Sequence, residues 1–91
     1  MKIFEKQPAE VLDYYFDFRI WLTSKSDNAV SYVLEPQAGI TVSTHSSPEP
    51  GLIKLFLAEG LAGVRYKITC RITTTGGRVK EAEFLVKVKE Y

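Results

Sequence analysis

Cys70 and His45 are the only cysteine and histidine in the chain. A zinc site needs about four ligands, or three and a water. Neither residue has a partner at ligand spacing. Cys70 alternates with Ile68 and Ile72, so it is expected to point inward as a small, inert hydrophobe with no base beside it. His45 precedes Ser46, Ser47 and Pro48 and is expected to face water. Asp13 and Asp17 could in principle act as the two carboxylates of a glycosidase. They are four residues apart and turn away from an aromatic face; any sheet displays such pairs, and a solvated edge is the plainer reading. Asp27 and Asn28 could meet a calcium ion, but the spacing of an EF-type loop is absent. Gly76 and Gly77 lack the strand–loop–helix setting of a phosphate cradle, so they read as turn chemistry. No catalytic, cofactor-binding or metal-binding residue is assigned, and no cofactor is expected. Three aromatics remain: Tyr15, Trp21 and Phe56. Tyr15 and Phe56 fall on the nominally polar faces of their strands. With Trp21 they would make a sugar-stacking or protein-docking patch, unless loops or a second sheet cover them.

The totals bound what these residues can be part of. A chain of 91 residues makes one domain. Formal net charge is +1, and lysines and arginines are interleaved with glutamates, so no basic stripe for nucleic acid is present. No apolar run approaches the roughly 20 residues of a membrane helix. The opening Met1–Lys6 has no apolar leader core. Synthesis and folding in a cytoplasm are therefore expected, with no nucleic-acid or membrane partner. The single cysteine leaves the fold independent of an internal disulfide.

The elements follow from hydrophobic periodicity. The clearest signal lies in the last third. Tyr66, Ile68, Cys70 and Ile72 share one face, and Ala82, Phe84, Val86 and Val88 share another, across Gly76-Gly77. This is a β-hairpin with one buried face. A two-residue Gly-Gly loop would set Ile72 opposite Glu81, a carboxylate on the apolar face. A three-residue loop, Thr75-Gly76-Gly77, sets Arg71 opposite Glu81 and Ile68 opposite Phe84, and needs Gly77 in the left-handed conformation. The exposed Arg65, Lys67, Arg71, Glu81, Glu83, Lys87 and Lys89 are expected to make cross-strand charge pairs.

Upstream, Leu12, Tyr14, Phe16 and Phe18 alternate with polar residues as a half-buried strand. Ile20-Trp21-Leu22 reads as a helical turn plugging one end of the core. Thr23–Asn28 and Thr44–Gly51 read as loops, the second rich in serine and proline. Further strands are expected at residues 30–35, 40–42 and 52–57. About seven strands at intervals of roughly 8–12 residues predict an all-β, immunoglobulin-like antiparallel sandwich. Residues 1–10 read as a lead-in, with Pro8 discouraging regular structure, and residues 11–91 as the sandwich. Tyr66, three residues after Gly63, stands where such sandwiches carry a tyrosine corner; burial alone is the alternative.

Several strings, taken in order, resemble a known family. They are Pro8-Ala9-Glu10-Val11-Leu12-Asp13-Tyr14, Asp17-Phe18 with Trp21-Leu22, and Gly39-Ile40-Thr41-Val42. Leu57 with Gly60 and Gly63, Tyr66-Lys67-Ile68-Thr69 and Thr73-Thr74-Thr75-Gly76-Gly77-Arg78 follow. Together they resemble the bacteriophage and prophage fibre-tail adaptor proteins over nearly the whole chain. Gln37 looks like an extra residue, and the Thr23–Asn28 loop is longer and more basic than the pattern. The resemblance implies a non-catalytic structural protein of the phage tail, located in the virion and made in the host cytoplasm. Its partners would be other phage tail or fibre proteins, and it would act in several copies, as a homo-oligomer in the particle. The family offers no catalytic residues to carry over. A carbohydrate- or surface-binding sandwich is the alternative and would need an exposed aromatic platform. A small enzyme would need paired titratable groups in a concave site. Contact is expected through the Thr23–Asn28 and Thr44–Gly51 loops or an edge strand.

Overall fold

A computed structural model describes residues 2–90; Met1, at the head of the expected lead-in, and Tyr91 lie outside the described residues. The elements run β1 (Ile3–Lys6), β2 (Leu12–Asp17), α1 (Arg19–Ser24), β3 (Ala29–Pro36), β4 (Ile40–Glu49), β5 (Leu52–Glu59), β6 (Arg65–Thr74) and β7 (Val79–Val88). They build a four-stranded sheet, β1-β7-β6-β3, facing a three-stranded sheet, β2-β5-β4. If β2 to β7 stand for strands B to G, these are the G-F-C and B-E-D sheets of an immunoglobulin constant domain. All pairings are antiparallel except β1 with β7, which is parallel.

Alternation sorts the faces. From β2, Tyr14 and Phe16 point inward; from β5, Ile53, Leu55 and Leu57; from β6, Tyr66, Ile68, Cys70 and Ile72; from β7, Phe84, Val86 and Val88. Phe84 is the hub. Its ring lies 4.8 Å from Phe16, 5.5 Å from Tyr14 and 5.2 Å from Phe4, centroid to centroid. Rings from β1 and β2 thus meet a ring of β7, and the two sheets are joined by aromatic contact. Such tilted and edge-on pairs contribute about 0.5–1.5 kcal/mol each beyond the area they bury. Among the described residues the buried Tyr14 hydroxyl has no hydrogen-bond partner.

The β6–β7 hairpin has the expected register. Arg71 stands opposite Glu81 and Ile68 opposite Phe84. Gly77 has φ 84°, and its N–H donates to the Thr74 carbonyl at 3.1 Å. The Thr74 N–H donates to the Arg78 carbonyl at 2.9 Å, which closes a loop of Thr75, Gly76 and Gly77. Ile72 faces Lys80, whose ammonium lies 5.5 Å from the Trp21 ring centroid. Asp27 clamps this turn from the α1–β3 connection. Its carboxylate accepts from Gly76 N–H at 3.0 Å, Asn28 N–H at 2.9 Å and Arg78 Nη1 at 2.8 Å. The Thr74 hydroxyl is the largest influence holding this carboxyl well below the usual range, helped by the Asn28 N–H, Arg78 and the Gly76 N–H.

Tyr66 forms the corner at the other end. Its hydroxyl accepts the Leu61 N–H at 2.9 Å. Gly39 and Gly60 hug the ring: a Cβ on Gly39 would fall 2.9 Å from Tyr66 Cε1, and one on Gly60 would fall 3.3 Å from Cε2 and 2.7 Å from Val88 Cγ2. Both glycines also have positive φ, 105° and 98°, where a side chain is strained.

Three expectations need correction. Residues 3–6 are not irregular: they form β1, which Phe4 pins to the core and Lys6 terminates. Lys6 is 1% exposed. Its ammonium donates to the carbonyls of Gln7 at 2.9 Å, Pro8 at 3.3 Å and Glu59 at 2.6 Å. Burial lowers its pKa, opposed by the charges of Glu10 and Glu59. Pro8 therefore ends the strand rather than preventing it. Next, residues 44–49 are not loop: β4 runs to Glu49, with register shifts after Val42 and after Ser46. β4 is an edge strand, where bulges and a proline are tolerated. Finally, Ile20 does not plug the core. The helix turns Leu22 inward and leaves Ile20 86% exposed.

Replacing Phe84 by Ala should cost about 3–5 kcal/mol in urea denaturation. Phe84→Asp should leave no cooperative transition, since it buries an unpartnered charge; an unchanged melting temperature would mean that the core face is wrong. Tyr14→Phe removes an orphaned hydroxyl and should leave stability equal or raise it by about 1 kcal/mol, whereas a clear loss would reveal a hidden partner. The Asp27 carboxyl has a folded-state pKa below its unfolded value near 3.8. Its stabilisation is therefore complete above that pH and is lost as pH falls toward the folded value. Melting curves across the acid range should thus fall less steeply for Asp27→Asn than for the wild type.

Candidate docking surface

The sequence alternation that buries Ile53, Leu55 and Leu57 turns Lys54 and Phe56 to the outer face of the three-stranded sheet. Tyr15 joins them from β2, directly opposite Lys54, while Asp13 stands opposite Phe56. From β4, Ser46 flanks Lys54 and Thr44 flanks Phe56. Tyr15 is 49% exposed and Phe56 half-buried, so neither a loop nor the second sheet hides this face. The Lys54 ammonium lies 5.9 Å from the Tyr15 ring centroid and 5.2 Å from that of Phe56. Among the described residues no carboxylate pairs with Lys54. Of the three aromatics singled out from sequence, the structure brings Tyr15 and Phe56 together. It packs Trp21 against the core beside Lys80 instead.

The opposite outer face is different in kind. Arg71 pairs with Glu35 of β3 and, at 3.5 Å, with Glu81 of β7. Lys67 approaches Glu83 at 3.8 Å. Such exposed pairs contribute about 0–1 kcal/mol each. The expected charge pairing fails at one rung, where Arg65 stands opposite Lys87.

At one end of the sandwich the second of the two segments expected to make contact meets the start of β3, which follows the first. Ala29 and Val30, just beyond the first, share a hollow of about 140 Å³ with Ser47, Pro50 and Gly51 of the second. Arg19 of α1 locks this end. It pairs with Asp17 at 2.8 Å and with Glu49 at 2.9 Å, and its hydrogen bonds hold the Asp17 carboxyl down at about 2. Beside it an open groove of about 630 Å³ is lined by Asp17, Arg19, Ile20, Thr23 and Ser24.

The Cys70 thiol is buried and pushed up to about 12 by burial, which disfavours the nucleophilic thiolate. Asp27 spends its oxygens on the hairpin clamp. His45 is exposed, as expected, yet its Nδ1 lies 2.7 Å from the Tyr32 hydroxyl, linking edge strands β4 and β3 across the seam between the sheets. Asp13 and Asp17 share the outer face, but Asp17 is taken by Arg19. The described residues contain no group of three or more His, Cys, Asp or Glu that could hold a metal ion. Lys6 escaped the sequence reading, and Ile20 was assigned to the wrong side of its helix. Lys6 hides in a segment that proline makes look irregular, and a six-residue helix is too short to show which face is outer.

The surface is thus one of two unlike faces and a locked end. Residues 6–87 match the family model described as podophage GP4 fiber-tail adaptor protein gp77. No curated protein matches the chain. The match spans nearly the whole sandwich, and the chain belongs to this family of phage fiber-tail adaptors, structural proteins that join fibre to tail.

Proposed function

We propose that the chain is a non-catalytic bridging module of the phage tail, made in the host cytoplasm and built into the particle in several copies. The observation that carries this is the difference between its outer faces. One is a ladder of ion pairs around Arg71; the other is an aromatic face capped by Lys54. Two chemically distinct faces on one rigid sandwich let one protein hold two different partners without competition between them. Rigidity comes from the aromatic hub, the Asp27 clamp and the Tyr66 corner, so little order remains to be gained on docking, and binding energy goes into holding the partners. The Arg19 lock keeps Ile20 presented at the end of the sandwich, where an exposed isoleucine adds apolar contact area.

Quantitative mass spectrometry on purified particles tests the reading. The chain should be present at a fixed ratio to the tail proteins, and that ratio reports its copy number. Absence from intact, fibre-bearing particles would overturn it.

A further inference from the structure

We propose that the aromatic face of the β2-β5-β4 sheet docks a segment of another phage protein that places a carboxylate on Lys54 and apolar side chains against Tyr15 and Phe56. This rests on the adaptor reading and deepens it by naming the chemistry of one partner. The Lys54 ammonium stands over two rings, 5.9 Å from one centroid and 5.2 Å from the other, and among the described residues no carboxylate neutralises it. Rings stabilise a cation through their negative faces, and more strongly once water is removed. A protein laid over this face would remove that water, and the ammonium would then need an anion to offset its lost hydration.

The surroundings direct where that anion sits. Asp13, opposite Phe56 on the β2 side, repels a second carboxylate there. Asp17 is committed to Arg19 and offers Lys54 nothing. On the β4 side, Thr44 and Ser46 beside Phe56 and Lys54 are uncharged, and Glu49 at the end of that strand is committed to Arg19. The partner's carboxylate therefore approaches over β4, and its apolar groups lie over Tyr15, whose exposure of 49% leaves area to cover. A sugar would have to stack on the ring faces, which the ammonium holds. A partner carboxylate adds to the cation–ring arrangement without displacing it.

Zero-length carbodiimide cross-linking of intact particles reads this contact directly, because it joins an amine to a carboxylate already touching it. The expected product links Lys54 to an Asp or Glu of a different phage protein. A Lys54 that links only to Asp13 of a second copy, or that stays unlinked while other lysines react, overturns the proposal. Incorporation gives an independent reading. Lys54→Glu should enter particles at a level lower by about tenfold or more while Lys54→Arg enters normally, since truncating or reversing a docked charge costs that much. Full incorporation of a folded Lys54→Glu variant overturns the proposal as well. Absence of the wild-type chain from particles would instead fail the adaptor reading itself.

Discussion

The contact of Phe84 with Phe16, Tyr14 and Phe4 is the constraint on which the rest of the fold depends. Among the described residues the two sheets share no hydrogen-bonded ladder. What holds them face to face is chiefly apolar packing, in which the four rings take part. Immunoglobulin domains commonly tie their two sheets with a disulfide between the strands that correspond to β2 and β6. Here the only cysteine, Cys70, is buried among Ile68 and Ile72 with no second thiol, and ring packing does the work. The register of β7 is tied to this arrangement. A slip of one residue in β7 would turn Phe84 outward and set Glu83 or Leu85 in its place.

Fixing the sheets leaves the ends to be closed, and each end is closed by one polar residue. Asp27 gathers the hairpin turn of Gly76, Arg78 and Thr74. Lys6 gathers the carbonyls of Gln7, Pro8 and Glu59. Lys6 satisfies part-buried carbonyls at the core margin, where an unpaired polar group costs more than a bond contributes. Glu59 carries φ 66°, a conformation that costs a residue with a side chain about 1–2 kcal/mol. The short hydrogen bond from Lys6 to its carbonyl helps to hold it there.

Most of this architecture was legible in the sequence where period-two alternation was uninterrupted. β2, β5, β6 and β7 each carry an unbroken alternating set of apolar residues on one face, so their inner faces and the hairpin register followed from residue order. Tyr66 was legible because a tyrosine just after a glycine turn has a known job in such sandwiches. The signal failed where alternation breaks. β4 interrupts its own period with two register shifts, which made Ser46, Ser47 and Pro48 look like a loop. β1 is only four residues long, too short for periodicity, and its partner is the far end of the chain. On the candidate docking face, Tyr15 and Phe56 were visible as misplaced aromatics. The role of Lys54 was not, because its place above both rings depends on which strands are neighbours.

The parallel pairing of β1 with β7 has a mechanical consequence. Ile3 lies beside Leu85 and Lys6 beside Val88, so the first and last strands run side by side in the same direction. The chain enters at one end of this pair and leaves at the other. Tension applied between entry and exit points therefore pulls the two strands along their length in opposite senses. The bonds between them are loaded in shear, all at once, instead of being unzipped one after another. A protein that links two parts of a particle is in this way strongest along the axis of its own terminal strands.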